Sequence, residues 1–208
     1  MTPVLPIAYF GNLEYFWYFT KYKKVCIDVK ETYLKQTYRN RAEIYGANGR
    51  LNISVPVVRP HGAKSKTHQI TISEVENWTK NHWKSIESAY RRTPFYEFYA
   101  DQIEAILFDD YDSLIDLNIK LTQHLIDKLG IDCDIEILTK SPSIEAYDLR
   151  LSLSPKKESK FKSPAYIQTF SDRNPFMANL SILDLLFNEG PNSICILESS
   201  LNHIEPAE

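Results

Sequence analysis

PVLPIAYFGNLEYFWYFTKYKKVCIDV, residues 3–29, is the stretch whose reading decides the fold. Val4 to Tyr9 is an apolar run short enough for a buried strand, and Asn12 sits where an N-cap would open a helix running through about Tyr22. Leu13, Phe16, Trp17 and Phe19 would face inward from that helix. Val25 to Val29 then reads as a second buried strand that ends near Asp28. Strand, helix, strand favours a parallel pair joined by a crossover helix. The first turn holds a single glycine, Gly11, where a dinucleotide-binding fingerprint needs three, so that nucleotide signature is absent.

Working outward, residues 38–57 switch to a period of two. Tyr38, Asn40, Ala42 and Ile44 share one face, and Arg39, Arg41, Glu43 and Tyr45 the other. After the turn GANG, residues 46–49, the positions Leu51, Ile53, Val55 and Val57 alternate with polar ones, which predicts a β-hairpin. Gln69 to Ser73 fits one more strand. Three helices follow. The first covers about Val75 to Arg91, the second opens at Thr93 and Pro94, and the third ends at Leu129 before Gly130. Ile135 to Thr139 reads as a strand, as does Ala165 to Phe170. A further helix around Leu180 to Phe187 stops at Gly190, and SICIL, residues 193–197, reads as a last buried strand. Ser181, Asp184 and Asn188 share a polar stripe, most simply the wet side of their helix. The expected fold class is therefore α/β: a mixed sheet with a β-hairpin and flanking helices, in a single compact domain spanning residues 1–208. A long irregular segment lies at about 140–178.

Composition narrows the function. The chain has 208 residues, 43% of them hydrophobic, which is ample for a core. Its formal net charge of −3 lacks the basic field that draws a protein onto nucleic acid, so no nucleic-acid partner is expected. The opening residues have no basic n-region and are broken by Pro3, Pro6 and Gly11, which argues against a leader or a membrane insertion and for a cytoplasmic protein. The cysteines at 26, 133 and 195 are scattered in apolar runs and read as buried thiols without disulfides. The five histidines and three cysteines show none of the spacings of a zinc site, so no metal site is expected, and no pattern names a cofactor.

Any anion must then be held locally. Lys35, Gln36, Tyr38, Arg39, Asn40 and Arg41 form an unbroken polar run at a strand entrance. Two arginines at alternate strand positions can offer paired forks to phosphate or carboxylate oxygens. The competing reading is a solvated strand face with ordinary ion pairs to Glu43 or Asp28. Asp28, at the carboxyl end of a strand, stands where open α/β sheets bind ligands, and is a candidate for orienting a sugar hydroxyl, binding Mg²⁺ or acting as a base, against the simpler reading of a turn cap. His82 is the other acid–base candidate, against the simpler reading of a satisfied core histidine. Arg150 and Lys156, with Lys157, lie in the irregular segment. Folded over the strand ends as a lid, they would close on the same anion.

Three segments carry a resemblance: KQTYRNRAEIYGANGRLNISVPV at 35–57, HWKSIESAYRRTPFYEFY at 82–99, and NLSILDLLFNEGPNS at 179–193. Together they resemble the WbqC-like family of bacterial proteins, with DLRLSLSPKK and YIQTF fitting the same pattern between them. The family is associated with surface-polysaccharide biosynthesis, including O-antigen loci. The resemblance implies a cytoplasmic enzyme acting on a phosphate-bearing, nucleotide-linked sugar, with acyl or aminoacyl transfer as the first transferase reaction to consider. The alternative is a non-catalytic module that binds a nucleotide sugar or a partner enzyme through the same cations. Either way the expected partner is a small anionic ligand.

Overall fold

The computed structural model describes residues 1–74, 77–140 and 147–202. In chain order its elements are β1 (Pro3–Pro6), α1 (Leu13–Lys21), β2 (Lys24–Asp28), β3 (Arg41–Gly46), β4 (Gly49–Ser54), β5 (Val57–Val58) and β6 (Thr71–Ile72), then α2 (Trp78–Tyr90), α3 (Tyr96–Leu107) and α4 (Leu114–Leu129). β7 (Asp134–Leu138), β8 (Tyr147–Asp148), β9 (Phe161–Lys162), α5 (Ile182–Glu189), α6 (Ser193–Ser199) and β10 (Leu201–Asn202) complete it.

The strand–helix–strand opening forms as its pattern predicts. The Asn12 side chain accepts from the Tyr15 amide at 3.0 Å and satisfies one of the free N–H groups of α1. β1 and β2 pair in parallel with Val4 opposite Cys26, and the sheet grows on both sides to the order β7-β2-β1-β8, every pairing parallel. Leu5, Val25 and Ile27 are buried as the near-continuous apolar runs of a covered parallel sheet require. α1 supplies part of that cover, with Tyr15, Phe16 and Phe19 in mutual ring contact. The architecture is thus α/β, a parallel sheet beside antiparallel hairpins, with helices around them in one domain.

The hairpin β3–β4 turns at GANG and pairs Ala42 with Ile53, both buried. Its first strand begins at Arg41, not Tyr38, and Leu51 is largely exposed, so the alternation overstates the strand at one end and the core at the other. Residues 67–69 form a helical turn ahead of β6, leaving only Thr71–Ile72 of the strand expected over 69–73. α3 begins three residues after Thr93, whose hydroxyl instead bonds back to the Tyr90 carbonyl at 2.7 Å. Val75, where the preceding helix was expected to begin, and residues 141–146 of the irregular segment lie outside the described residues. Within 165–170 there is no strand; the pairing nearby is β9 with β10.

SICIL is helical, forming most of α6. A five-residue apolar run cannot be assigned from periodicity alone. Here Ser193 and Leu197, four apart, are the buried pair, a helical spacing. Of the thiols, Cys26 is buried, Cys133 half-buried and Cys195 exposed on α6, so the expectation of three buried thiols holds in full only at Cys26.

The stripe on α5 is the largest reversal. Asp184 is 0% exposed and Ser181 is buried. The Asp184 carboxylate accepts from the Tyr166 hydroxyl at 2.7 Å and the Gln168 amide at 2.8 Å, with no cation among its partners. Gln168 also bonds the Met177 amide and carbonyl, each at 2.9 Å, so the Asp184 carboxylate ties both ends of the 166–177 strap to α5, while the Tyr45 hydroxyl meets the carbonyls of its middle.

Gly130 ends α4 with φ of 68°, the left-handed region that favours glycine, and its amide bonds back to the last turn. An added Cβ would meet open space, so only backbone strain opposes it. Gly130→Ala is therefore expected to lower the unfolding free energy by about 1 kcal/mol, measured as a urea midpoint shift at unchanged slope.

Candidate functional site

β2 and β8 flank β1, so Asp28 and Asp148 come to the same end of the sheet on either side of that strand, and one side chain bridges them. Arg150 donates from Nη1 to Asp28 Oδ2 at 2.5 Å, and from Nε and Nη2 to the two oxygens of Asp148 at 2.9 and 2.6 Å. Asp148 is drawn below its ordinary value, mainly by its hydrogen bonds to Arg150, and Arg150 is raised in turn, chiefly by Asp148. Asp28 is buried, with its second oxygen accepting from the Lys30 amide at 2.7 Å.

Behind this trio lies a second ion pair. Arg39 is 1% exposed and meets Glu31 bidentately, Nε to Oε1 at 2.7 Å and Nη2 to Oε2 at 2.6 Å. Its remaining donors reach the Thr37 hydroxyl at 3.2 Å and the Arg150 carbonyl at 3.1 Å. Burial pushes the Glu31 carboxyl up, and Arg39 offsets that push only in part. The two arginines of the sequence pattern therefore do not project together. Arg39 precedes the strand and turns inward, while Arg41 begins β3, half-buried, with no ion pair among the described residues and a buried Nε that lacks a hydrogen-bond partner.

Most of the polar run around them is spent internally. The Asn40 side-chain amide donates to the Val55 carbonyl at 2.8 Å, and the Val55 amide returns a bond to the Asn40 carbonyl. Tyr38 is buried, and its carbonyl accepts from Tyr9. Lys35 and Gln36 are exposed, Gln36 with φ of 56° in the tight turn that Thr37 closes onto the Leu34 carbonyl.

The open face of the network is a pocket of about 320 Å³ bordered by Asp28, Lys30, Glu31, Lys66, Asp148 and Arg150. Lys30 and Lys66 make no ion pair among the described residues; Lys66 Nζ bonds only the Thr32 hydroxyl at 3.1 Å. The irregular segment does cross the strand ends and delivers Arg150 there, but Lys156 is exposed and does not border the pocket. Lys30, Glu31 and Lys66 escaped the sequence reading. Lys30 and Glu31 lie two and three residues after Asp28 and were available from position alone; Lys66 arrives through the backbone bridge to Thr32, which no local pattern announces.

His82 sits elsewhere, on the buried side of α2. The Tyr9 hydroxyl lies 2.8 Å from its Nδ1, a hydrogen bond that satisfies one ring nitrogen within the core. Burial lowers its pKa to about 4, so it is neutral at neutral pH. Among the described residues no group of three or more histidine, cysteine or acidic side chains gathers as a metal site would require, and no helix is long and apolar enough to cross a membrane.

A model of the WbqC-like protein family matches residues 8–158, from the end of the first strand through the segment that carries Arg150. The chain belongs to the WbqC-like family. No curated protein matches it, and no solved structure does. Within this WbqC-like protein the match spans every charged residue bordering the strand-end pocket; α5 and α6, including the stretch 179–193, lie beyond it.

Proposed function

We propose that this WbqC-like protein acts on a phosphate-bearing, nucleotide-linked sugar in bacterial surface-polysaccharide precursor synthesis, in the cytoplasm, binding it at the strand-end pocket. The observation that carries the reading is the convergence of Arg150, Lys30 and Lys66 on one concavity at the carboxyl ends of parallel strands, the place where open α/β sheets hold ligands. Asp148 is exposed and easily rehydrated, whereas Asp28 is buried. An arriving diphosphate would therefore take the outward fork of Arg150 from Asp148 while Asp28 keeps the guanidinium in place. Lys30 and Lys66 would neutralise the remaining phosphate charge. Acyl or aminoacyl transfer to a sugar amine is the reaction to test first.

A binding module without turnover has one observation in its favour. The buried carboxylates at the pocket, Asp28 and Glu31, are each engaged by an arginine, and every oxygen of the two already accepts a hydrogen bond within the protein.

Thermal denaturation with UDP-N-acetylglucosamine and with free N-acetylglucosamine tests the site. A ligand at a hundredfold its dissociation constant adds about 2.7 kcal/mol of apparent stability. The nucleotide sugar is expected to give the larger shift, and Lys30→Ala with Lys66→Ala to abolish the difference at an unchanged midpoint without ligand. A folded double variant that still separates the two ligands rules out this pocket. Mass analysis of an amino-sugar nucleotide incubated with acyl donors then separates enzyme from module.

A further inference from the structure

We propose that the groove between α2 and α3 is a second site, one that binds a neutral carbohydrate by stacking a sugar ring on its aromatic floor; this goes beyond the strand-end reading and does not rest on it. Lys80, Lys84 and Glu87 recur at helical spacing along α2, as Glu97, Asp101 and Glu104 do along α3, so each helix turns one polar stripe into the same groove of about 690 Å³. That volume lies in the range of small-molecule sites. Between the stripes lies the half-buried ring of Trp83, beside the buried ring of Tyr96, the two nearly parallel at 27° with centroids 6.3 Å apart, so that Trp83 presents the open part of the floor. Tyr96 packs in turn on the buried ring of Phe187, 5.3 Å away, which fixes the floor to the core.

The walls are chemically mixed and do not neutralise each other. Among the described residues no ion pair joins α2 to α3: Lys80 and Lys84 have none, and Arg91 meets Glu87 of its own helix at 3.7 Å. Burial together with the carboxylates of Glu87, Glu104 and Asp101 raises the Tyr96 hydroxyl to about 12, so it remains a donor. A phosphate would be repelled by the α3 wall and an ammonium by the α2 lysines. A neutral polyol suits both, since each hydroxyl can donate to a carboxylate and accept from an ammonium. The C–H face of a pyranose completes the match by covering the aromatic floor.

The test is saturation-transfer NMR on the full chain with neutral trisaccharides built from glucose, galactose, rhamnose and N-acetylglucosamine. At least one is expected to receive saturation at its ring C–H protons. Trp83→Ala should weaken that binding at least about tenfold and Trp83→Phe less than about threefold. Asp101→Ala with Glu104→Ala, at positions outside the buried core, should weaken it several-fold without touching the floor. The response to UDP-N-acetylglucosamine should survive in all three, so failure of this site and failure of the strand-end pocket are told apart. Absence of transfer to every trisaccharide, or equal transfer in wild type and both alanine variants, overturns the proposal.

Discussion

Glu31→Ala is expected to destabilise the protein by about 3–5 kcal/mol, the range for removing one partner of a buried ion pair. Arg39 has no solvent to retreat to: its side chain is 1% exposed and the Glu31 side chain 7%. Without the carboxylate, the Thr37 hydroxyl and the Arg150 carbonyl would face a full positive charge alone. Arg39→Ala should fall in the same range, because Glu31 is then the stranded charge. The pair need not be a net source of stability, since its desolvation offsets much of its attraction. Glu31→Leu with Arg39→Met, which fills the same space without charge, is accordingly expected within about 1 kcal/mol of wild type. Urea midpoints of the four proteins decide this: a Glu31→Ala loss below about 1 kcal/mol shows that the guanidinium finds water after all. The double variant also loses the bond from Arg39 to the Arg150 carbonyl, so its response to UDP-N-acetylglucosamine reports whether this second ion pair positions Arg150.

The same residues show how far the sequence can be read. The parallel pair was legible because Val4–Leu5 and Val25–Ile27 are continuous apolar runs on either side of a capped helix, each signal local. Asp28 was legible by its position at a strand's end, and Arg150 by lying in a long segment that had to pass somewhere. Arg39 was misread for a definite reason. Alternation assigns faces only inside a strand, and the strand starts two residues later, so Arg39 obeys the geometry of the preceding turn. Its partner Glu31 is eight residues away in a stretch that forms neither helix nor strand, so neither period applies between them. Asp184 was misread because a polar stripe on a helix is wet only if nothing covers it. The cover, Tyr166 and Gln168, comes from a segment without periodicity of its own.

Asp184 and His82 together lead to the second large effect, a pH dependence of stability that the wild type conceals. Burial raises the Asp184 carboxyl from its ordinary 3.8 to about 6, so between those values the folded state holds more protons than the unfolded chain. Its contribution is complete below pH 3.8 and lost as pH rises through about 6. Burial lowers His82 from 6.5 to about 4, so there the unfolded chain holds more protons. That contribution is complete above pH 6.5 and lost as pH falls through about 4. Each is worth about 3 kcal/mol across its window, with opposite sign, and the two nearly cancel between pH 4 and 6. Asp184→Asn, whose amide oxygen can still accept from Tyr166 and Gln168, should be more stable than wild type at pH 7 and gain about 3 kcal/mol as pH rises from 4 to 6.5. His82→Gln should show the reverse slope, and the two substitutions combined should remove both. Urea denaturation at pH 4, 5, 6 and 7 measures all four. If both single variants keep the wild-type slope, neither group changes its proton in this range, and Asp184 must be reached by water that relieves its burial.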